Sequence, residues 1–496
     1  MTEQQSSYRQ IMKTTSLFGG VQAFEIIIQI IRSKFVAVLL GPAGMGIAGL
    51  LNSTISLITG FTNFGLRTSA VKNIAAAYGT GNETRIANVT IVIRRLMWIT
   101  GIIGTLATLI LSTWLSQLTF GNHDYTIAFI WISITLLFTQ LTSGQLVLLQ
   151  GMRKFKYLAK ANLYGNIIGL IFTIPLYYKL GINGIVPGII IASITSLLLS
   201  WFFAQKINIR PMRVSYIRTI AEGKSMLTMG LMISLSGLFA NGALYILRIF
   251  IRHHGGIEQV GLYNAGFGII SVYTGLIFTA LSTDFYPRLS AVARSNKECR
   301  QTINQQAEIA VLILAPILIV FLVFINLVIA VLYSNKFIPV NTMISWAALG
   351  ILFKAASWAV AYQLLAKGES KLFFWNELIA NTYLLGFNLL GYYYLGLTGL
   401  GLSFMIFYFL YFIQVYSVTK IKFEFFYNYA FIKIFIFQFL LAFFCFLLMK
   451  FLRSPFSYIF GLLIIIISTL NSYTELDKRL GLKNLLIRYK GKSKIT

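Results

Sequence analysis

The sequence predicts an all-α polytopic membrane protein of about fourteen helices, and three observations carry that prediction. The 496-residue chain is 57% hydrophobic and only 11% charged, too apolar for a soluble globular surface of this size. Its apolar residues fall in long unbroken runs such as Ala310 to Val331, where a transmembrane barrel would show short alternating segments. Its basic residues collect in every second connection between the runs: about 31 of the 41 Lys and Arg lie at the N-terminus, in the even connections and at the C-terminus, against about six on the other side.

A hydrocarbon core takes roughly 20 apolar residues per helix, and in lipid the backbone must satisfy itself. Six spans follow from this in the first half: Thr15 to Leu40, Gly44 to Gly65, Ile91 to Leu115, Thr126 to Leu149, Ala161 to Tyr178 and Ile182 to Ala204. Six more run Met226 to Ile251, Val260 to Leu281, Glu308 to Tyr333, Ser345 to Leu365, Phe373 to Tyr394 and Leu397 to Val418. Tyr429 to Met449 and Phe456 to Leu470 form a final pair.

The positive-inside rule places the even connections in the cytoplasm, and both termini with them. These connections carry Arg67, Lys72, Arg85, Arg94 and Arg95, then Arg153, Lys154, Lys156 and Lys160, then Arg210, Arg213 and Arg218, then Arg288, Arg294 and Arg300. A formal charge of +27 would suggest nucleic acid in a soluble protein. Here the basic segments, including the tail from Lys478 to Lys494, sit beside spans and are expected to meet anionic lipid headgroups, so no nucleic-acid partner is expected. The first apolar stretch lacks a convincing small-residue exit site and is expected to stay as the first helix. Cys299 and Cys445 are too far apart in the predicted topology to form a disulfide.

The chain also repeats itself. Phe64-Gly65-Leu66-Arg67-Thr68-Ser69-Ala70-Val71 returns as Phe285-Tyr286-Pro287-Arg288-Leu289-Ser290-Ala291-Val292. Leu148, Gly151 and Lys154 return as Leu365, Gly368 and Lys371, and Arg32 precedes Gly44-Met45-Gly46 much as Arg248 precedes Gln259-Val260-Gly261. Equivalent positions are an even number of spans apart, so the copies are parallel repeats. The expected organisation is a six-helix bundle over residues 1–220, a second over 221–420, a helix pair over 421–472 and a basic cytoplasmic tail over 473–496. The connections on the outer side are too short for a catalytic domain, which argues against a polymerase or other enzyme and puts any work among the helices.

Charges inside spans are therefore the candidate functional residues, since each costs roughly 3 kcal/mol near the bilayer centre. Glu25, Arg32 and Lys34 lie in the first span, and Glu25 and Arg32, two turns apart, share a face. Arg248 lies near the outer end of the seventh span, Asp284 at the inner end of the eighth, Lys354 well inside the tenth and Glu377 early in the eleventh. Lys34, Arg248 and Glu377 can also be read as side chains reaching from helix ends to water. A cavity taking Arg32, Lys34, Arg248 and Lys354 against Glu25 and Glu377 is cationic and favours an anionic cargo, with guanidinium forks suited to phosphate oxygens. Glu25, Glu377 and Asp284 are candidates for ion pairing or ion coupling. No phosphate-binding loop is present, and His123, His253 and His254 lack metal-ligand company, so no cofactor and no metal site are expected.

The segments from Lys34 through Gly41-Pro42-Ala43-Gly44-Met45-Gly46, Phe120-Gly121-Asn122-His123-Asp124-Tyr125, Ser334-Asn335-Lys336-Phe337, and Lys354 to Glu377 resemble the Wzx-type lipid-linked oligosaccharide flippases of the multidrug/oligosaccharidyl-lipid/polysaccharide exporter superfamily. Lys34, Lys354 and Glu377 fall where that family has the same residue type. The resemblance implies a MATE-like fold of two six-helix bundles around a V-shaped central cavity. It also implies transfer of an undecaprenyl-pyrophosphate-linked glycan, an O-antigen or related repeat unit, across the bacterial inner membrane by alternating access. The last helix pair departs from the family's twelve helices and is either a groove for the polyprenyl tail or a packing appendage. A lipid II flippase and a multidrug antiporter remain alternatives, the latter disfavoured by the basic excess. A polysaccharide polymerase would be a partner, and the chain is expected to act as a monomer.

Overall fold

The computed structural model describes residues 3–207, 209 and 215–480. Arg210, Arg213 and the tail from 481 onward lie outside the described residues, as do the side chains of Arg218 and Asp284. The described chain is all helix. The first half holds α1 (Glu3–Asn63), α2 (Leu66–Gly79), α3 (Glu83–Ile110), α4 (Ser112–Phe120), α5 (Thr126–Gly151), α6 (Phe155–Leu180) and α7 (Ile185–Gln205). Then follow α8 (Tyr216–Ala291), α9 (Asn296–Val323), α10 (Ile325–Leu332), α11 (Asn341–Ala366), α12 (Ser370–Phe423), α13 (Tyr429–Phe451) and α14 (Phe456–Leu480).

Ten helical stretches are long and apolar enough to cross a bilayer, and four of them are double length: Phe24–Asn63, Phe155–Gln205, Gly237–Thr279 and Ser370–Phe423. The shortest of these has 40 residues, about 60 Å at 1.5 Å per residue, twice a hydrocarbon core. Each contains a glycine at positive φ where two helices meet: Gly41 (φ 68°, ψ −169°), Gly181 (φ 56°, ψ −133°), Gly256 (φ 83°, ψ 177°) and Gly396 (φ 57°, ψ −139°). A side chain with a Cβ is strained in these regions, so glycine is what lets the chain reverse. Dividing the four stretches gives the fourteen crossings expected from hydropathy. Pro42 follows Gly41 at the first position of the next helix, where its missing N–H leaves no bond unmade.

The backbone carries the duplication. Gly41 and Gly256 are 215 residues apart, and so are Gly181 and Gly396. Helices α5 and α11 both have 26 residues and begin 215 apart. They also end alike: Arg153 N–H bonds Gln150 O at 3.0 Å and Lys154 N–H bonds Leu149 O at 2.8 Å, while Gly368 N–H bonds Leu365 O at 3.0 Å and Glu369 N–H bonds Leu364 O at 2.9 Å. This is the paired bonding of a left-handed helix stop, with Arg153 (φ 57°) and Gly368 (φ 77°) at the left-handed position. Helices α3 and α9 both have 28 residues and start under side-chain caps, Asn82 to Arg85 N and Ser295 to Glu298 N. The predicted third and ninth spans are each divided near the C-terminal end, at Leu111 and Phe324.

None of the three sequence echoes has the 215-residue spacing, since Phe64 and Phe285 are 221 apart, Leu148 and Leu365 are 217, and Arg32 and Arg248 are 216. At 215, the counterpart of Arg32 is the buried Leu247. Arg248 stands one residue on, about 100° around the helix.

Two compact units divide the chain: Met1–Asn264 with Leu332–Ser334, and Ala265–Val331 with Asn335–Thr496. In the first, α2 turns Leu66, Ala70, Ile74 and Ala77, one helical stripe, into a core with Val92, Ile93, Met97 and Leu148. Where α1 meets residues 257–264, the backbones touch. A methyl at Gly46 would collide with the carbonyl oxygen of Ile257, one at Gly261 with that of Pro42, and one at Gly49 with the Asn264 amide.

In the second unit α9 is central, with Ile303, Ala307, Ala310, Val311, Ala315 and Ile319 all buried. The buried Glu308 receives Arg479 Nε at 2.6 Å and Asn428 Nδ2 at 3.0 Å, which ties the start of α13 and the end of α14 to α9. Asn428 also caps α13 by accepting Phe431 N–H at 2.7 Å. Between α13 and α14 the fully buried Gln438 donates to Asn471 Oδ1 at 3.1 Å and Ser472 Oγ at 3.0 Å, and accepts from Ser468 Oγ at 2.7 Å. Cys299 and Cys445 are both free and buried.

Candidate functional site: a polar cavity and an aromatic cation site

The first unit contains a cavity of about 350 Å3 enclosed by α1, α5, α6 and α7. Gln29 and Arg32 enter it from α1, and Asn52 from the same helix beyond the Gly41 turn. Thr135, Thr139 and Thr142 recur on one stripe of α5, Asn166 and Thr173 come from α6, and Ser193 and Ser196 from α7. Among the described residues, Arg32 is the only formal charge on the wall, and no aromatic ring lines it. Glu25, two turns before Arg32, is hydrogen-bonded to the Asn162 side chain of α6.

The second unit holds another cation within a span, the half-buried Lys354. Lys354 lies on α11 with its Nζ 5.2 Å from the ring centre of Phe278 and 5.3 Å from that of Tyr408, a distance at which the ring faces attract an ammonium. No described carboxylate forms an ion pair with it. The ring of Tyr408 lies 6.4 Å from that of Tyr411, and the buried Tyr411 donates its phenolic hydrogen to Glu377 Oε1. Asn376 Nδ2 adds a longer contact to the same oxygen at 3.4 Å, and Gln414 Nε2 holds Asn376 through its Oδ1 at 2.8 Å. Lysine, two phenols and a carboxylate thus form one track from α11 across α12.

Cavity and track occupy matching places. At the 215-residue spacing, Thr139 answers to Lys354, Asn162 to Glu377, Ser193 to Tyr408 and Ser196 to Tyr411. Small hydroxyls leave the first unit's site open, and large rings fill the second's.

The remaining sequence-predicted residues lie elsewhere. Lys34 Nζ donates to the carbonyl of Tyr333 at 2.6 Å. Arg248 Nε donates to Asn264 Oδ1 at 2.9 Å, with its guanidinium 5.8 Å from the Tyr263 ring. Lys34, Arg248 and Glu377 thus have partners within the protein. The structure brings Arg32 into the cavity and joins Lys354 to Glu377 through the tyrosines, and it leaves Lys34 and Arg248 outside both sites.

Sequence reasoning passed over Arg252, which donates to the carbonyls of Thr119 at 3.1 Å and Leu118 at 3.3 Å and so closes the end of α4. Its guanidinium lies against Gly121 (φ 72°), leaving no room for a Cβ there. In the same connection Phe120 stacks on Tyr125 with ring centres 3.8 Å apart. Burial and the neighbouring Asp124 carboxylate push the Tyr125 phenol above its ordinary value, which keeps it neutral. Glu308, Tyr408 and Tyr411 were also missed; an acidic residue opening an apolar run was the one available signal.

A duplicated all-α membrane fold with a charged polar site inside each unit defines the class of this protein. The chain belongs to the polysaccharide biosynthesis protein family (Polysacc_synt_3), whose family model matches residues 35–342. It is 21% identical over 359 residues to the lipid III flippases of Escherichia coli (strain K12) and Shigella flexneri, covering 71% of this chain and 85% of each relative. Its fold is similar to that of a multidrug resistance MATE family transporter of the MOP superfamily in an inward-facing conformation, with a TM-score of 0.70, 17% identity and coverage of 81% of this chain and 94% of the other. It is similar also to the lipid II flippase MurJ in an inward closed conformation, with a TM-score of 0.69, 14% identity and coverage of 94% and 99%. The second match omits 6% of this chain, fewer residues than α13 and α14 contain, so it extends into that pair.

Proposed function

We propose that this protein is a flippase that moves an undecaprenyl-pyrophosphate-linked oligosaccharide, an O-antigen or related repeat unit, from the cytoplasmic to the periplasmic leaflet of the bacterial inner membrane by alternating access. The observation that carries the reading is a cation within the spans of each unit, the exposed Arg32 beside a hydroxyl-rich cavity and the half-buried Lys354 between two rings. A cargo with an anionic pyrophosphate and a polar glycan needs cations for the first and hydrogen-bonding groups for the second. The family and the named functions of the lipid III and lipid II flippases support the same cargo class. A multidrug antiporter for cationic compounds would want acidic groups where Arg32 and Lys354 stand.

Glu25 and Glu377 are the proposed sites of coupling to an ion gradient, since each is an acid held by neutral partners, Asn162 in one case and Tyr411 with Asn376 in the other. Both termini are assigned to the cytoplasm by the basic connections. The α13–α14 pair is proposed to form a lateral groove for the polyprenyl tail, and a membrane polymerase is the proposed downstream partner. Deleting the gene and analysing inner-leaflet lipids tests the core of this reading. Accumulation of a polyprenyl-linked glycan supports it, and an unchanged lipid pool with loss of cation efflux overturns it.

A further inference from the structure

We propose that a second cavity of the first unit holds one phospholipid with a primary ammonium headgroup, phosphatidylethanolamine, its amine on Asp124 and one acyl chain running down between α1, α5 and α7. The site is separate from the two cation stations and asks nothing of the cargo's identity.

The cavity measures about 700 Å3, within the roughly 300–1,000 Å3 of ligand sites. Its walls are α5 through Ile127 and Trp131, α7 through Val186 and Ile190, and α1 beyond the Gly41 turn through Ile47 and Leu51. These are the second, fourth and sixth crossings, which all start from the same face of the membrane, so distance along each helix is depth. Trp131, Ile190 and Leu51 lie about 8, 8 and 14 Å from Thr126, Ile185 and Pro42 at 1.5 Å per residue. Half of a hydrocarbon core is about 15 Å. The cavity therefore descends through one leaflet and stops.

Polarity changes along that descent. Asp124, Tyr125 and Asn183 border the cavity where the helices begin, and the deeper lining is aliphatic apart from the Trp131 indole. Ile127, Trp131 and Ile182 are 68%, 63% and 44% exposed, so the wall opens sideways toward lipid. A long apolar chain ending in a polar group at the water boundary matches this gradient, and a sugar or a metal ion does not.

The charge at the mouth selects the head. Asp124 is one of 14 acidic residues set against 41 basic ones. Its Oδ2 accepts Asn122 Nδ2 at 2.8 Å, which orients the carboxylate and leaves Oδ1 to accept again. Among the described residues no cation pairs with Asp124; Arg252, which touches Gly121 in the same connection, donates to the carbonyls of Thr119 and Leu118. A primary ammonium brings a positive charge and three N–H donors to Asp124 and to the side-chain oxygen of Asn183. A phosphatidylglycerol head, or the pyrophosphate of a polyprenyl carrier, would set anion against carboxylate. Phosphatidylcholine carries the charge without an N–H donor.

Native mass spectrometry of the full chain tests this, with phosphatidylethanolamine, phosphatidylcholine and phosphatidylglycerol of identical acyl chains as probes. The first ethanolamine lipid is expected to bind about fivefold more tightly than either competitor, the worth of one ion pair at an exposed carboxylate. Asp124→Asn keeps the shape, removes the charge, and should lower the ethanolamine lipid to the level of the choline lipid. Val186→Trp fills the cavity from α7 and should remove one bound lipid whatever its head; if that variant fails to fold, Asp124→Asn decides the matter alone. Equal binding of the ethanolamine and choline lipids, preference for the glycerol lipid, an undiminished preference in Asp124→Asn, or an unchanged lipid count in folded Val186→Trp overturns the proposal. Glycan flux enters none of these readouts, so the site can fail while the flippase stands, and the reverse.

Discussion

Thr139 and Lys354 stand at the same turn of two helices of equal length, α5 and α11, 215 residues apart. One presents a hydroxyl to an open cavity, and the other an ammonium to two aromatic rings. Two copies of one bundle have thus taken different solutions at one place. If both stations serve a phosphorylated cargo, Arg32→Ala and Lys354→Ala should each lower flipping in proteoliposomes by about tenfold or more while insertion and thermal melting stay near wild type. Wild-type flux in both variants would remove the cationic-site reading.

Glu25→Gln and Glu377→Gln address coupling separately. Each keeps the hydrogen-bonding shape and removes a titratable proton. The expected outcome is flipping that no longer responds to an imposed proton or sodium gradient, measured as flux with and without an ionophore. Unaltered gradient dependence in both variants would exclude these acids as the coupling sites.

The stop after α5 places Arg153 at positive φ where the matching stop after α11 has Gly368. A non-glycine residue there is strained by roughly 1 kcal/mol or more, partly offset by glycine's greater freedom in the unfolded chain. Arg153→Gly should therefore stabilise by about 0.5–1 kcal/mol, and Gly368→Arg should destabilise by a similar amount. Thermal melting of the two variants checks the pair, and opposite signs are the required result.

Arg479 and Glu308 form a largely buried ion pair at 2.6 Å, with side-chain exposures of 23% and 7%. Arg479→Ala leaves the Glu308 carboxylate buried with only Asn428 and should cost on the order of 3 kcal/mol. The far more exposed pair of Lys422 and Glu369, at 42% and 37%, should cost under about 1 kcal/mol when Lys422 is truncated. Parallel melting curves that give equal losses would contradict the burial argument.

Gly46 and Gly261 each admit a carbonyl from the other's segment, Ile257 and Pro42 respectively. Gly46→Val and Gly261→Val should each destabilise the first unit strongly, and the double variant should cost less than the sum because one backbone approach is lost in all three. Melting temperatures of the three variants test this, and strict additivity would show that the two contacts are independent.

Much of the fold was legible from hydropathy and charge. The breaks expected between spans at residues 40 and 44, 178 and 182, 251 and 260, and 394 and 397 all fall on the glycines that reverse the chain. The duplication was legible as a fact and illegible in its register. Apolar sequence offers many near matches, and a slip of one residue, as between Arg32 and Arg248, leaves hydropathy unchanged while turning a side chain by about 100°. Arg32, Lys354 and Glu377 stood out because charge is expensive inside a span. Tyr408 and Tyr411 did not, because a tyrosine among forty-one phenylalanines and twenty-six tyrosines becomes distinctive only when folding sets it beside Lys354 and Glu377. Helix α2 was hidden by its length, too short for a crossing and placed where only a connection was expected.

The amide of Gln438 lies midway along α13, and its partners are Ser468, Asn471 and Ser472 of α14. A carboxamide entering hydrocarbon alone forfeits its hydration with nothing in return. Entering zipped to its neighbour, it arrives already satisfied. During biogenesis the final two segments are thus cheaper to release from the insertion machinery together than one after the other, and truncation after α13 would strand a helix that its own sequence makes costly to integrate.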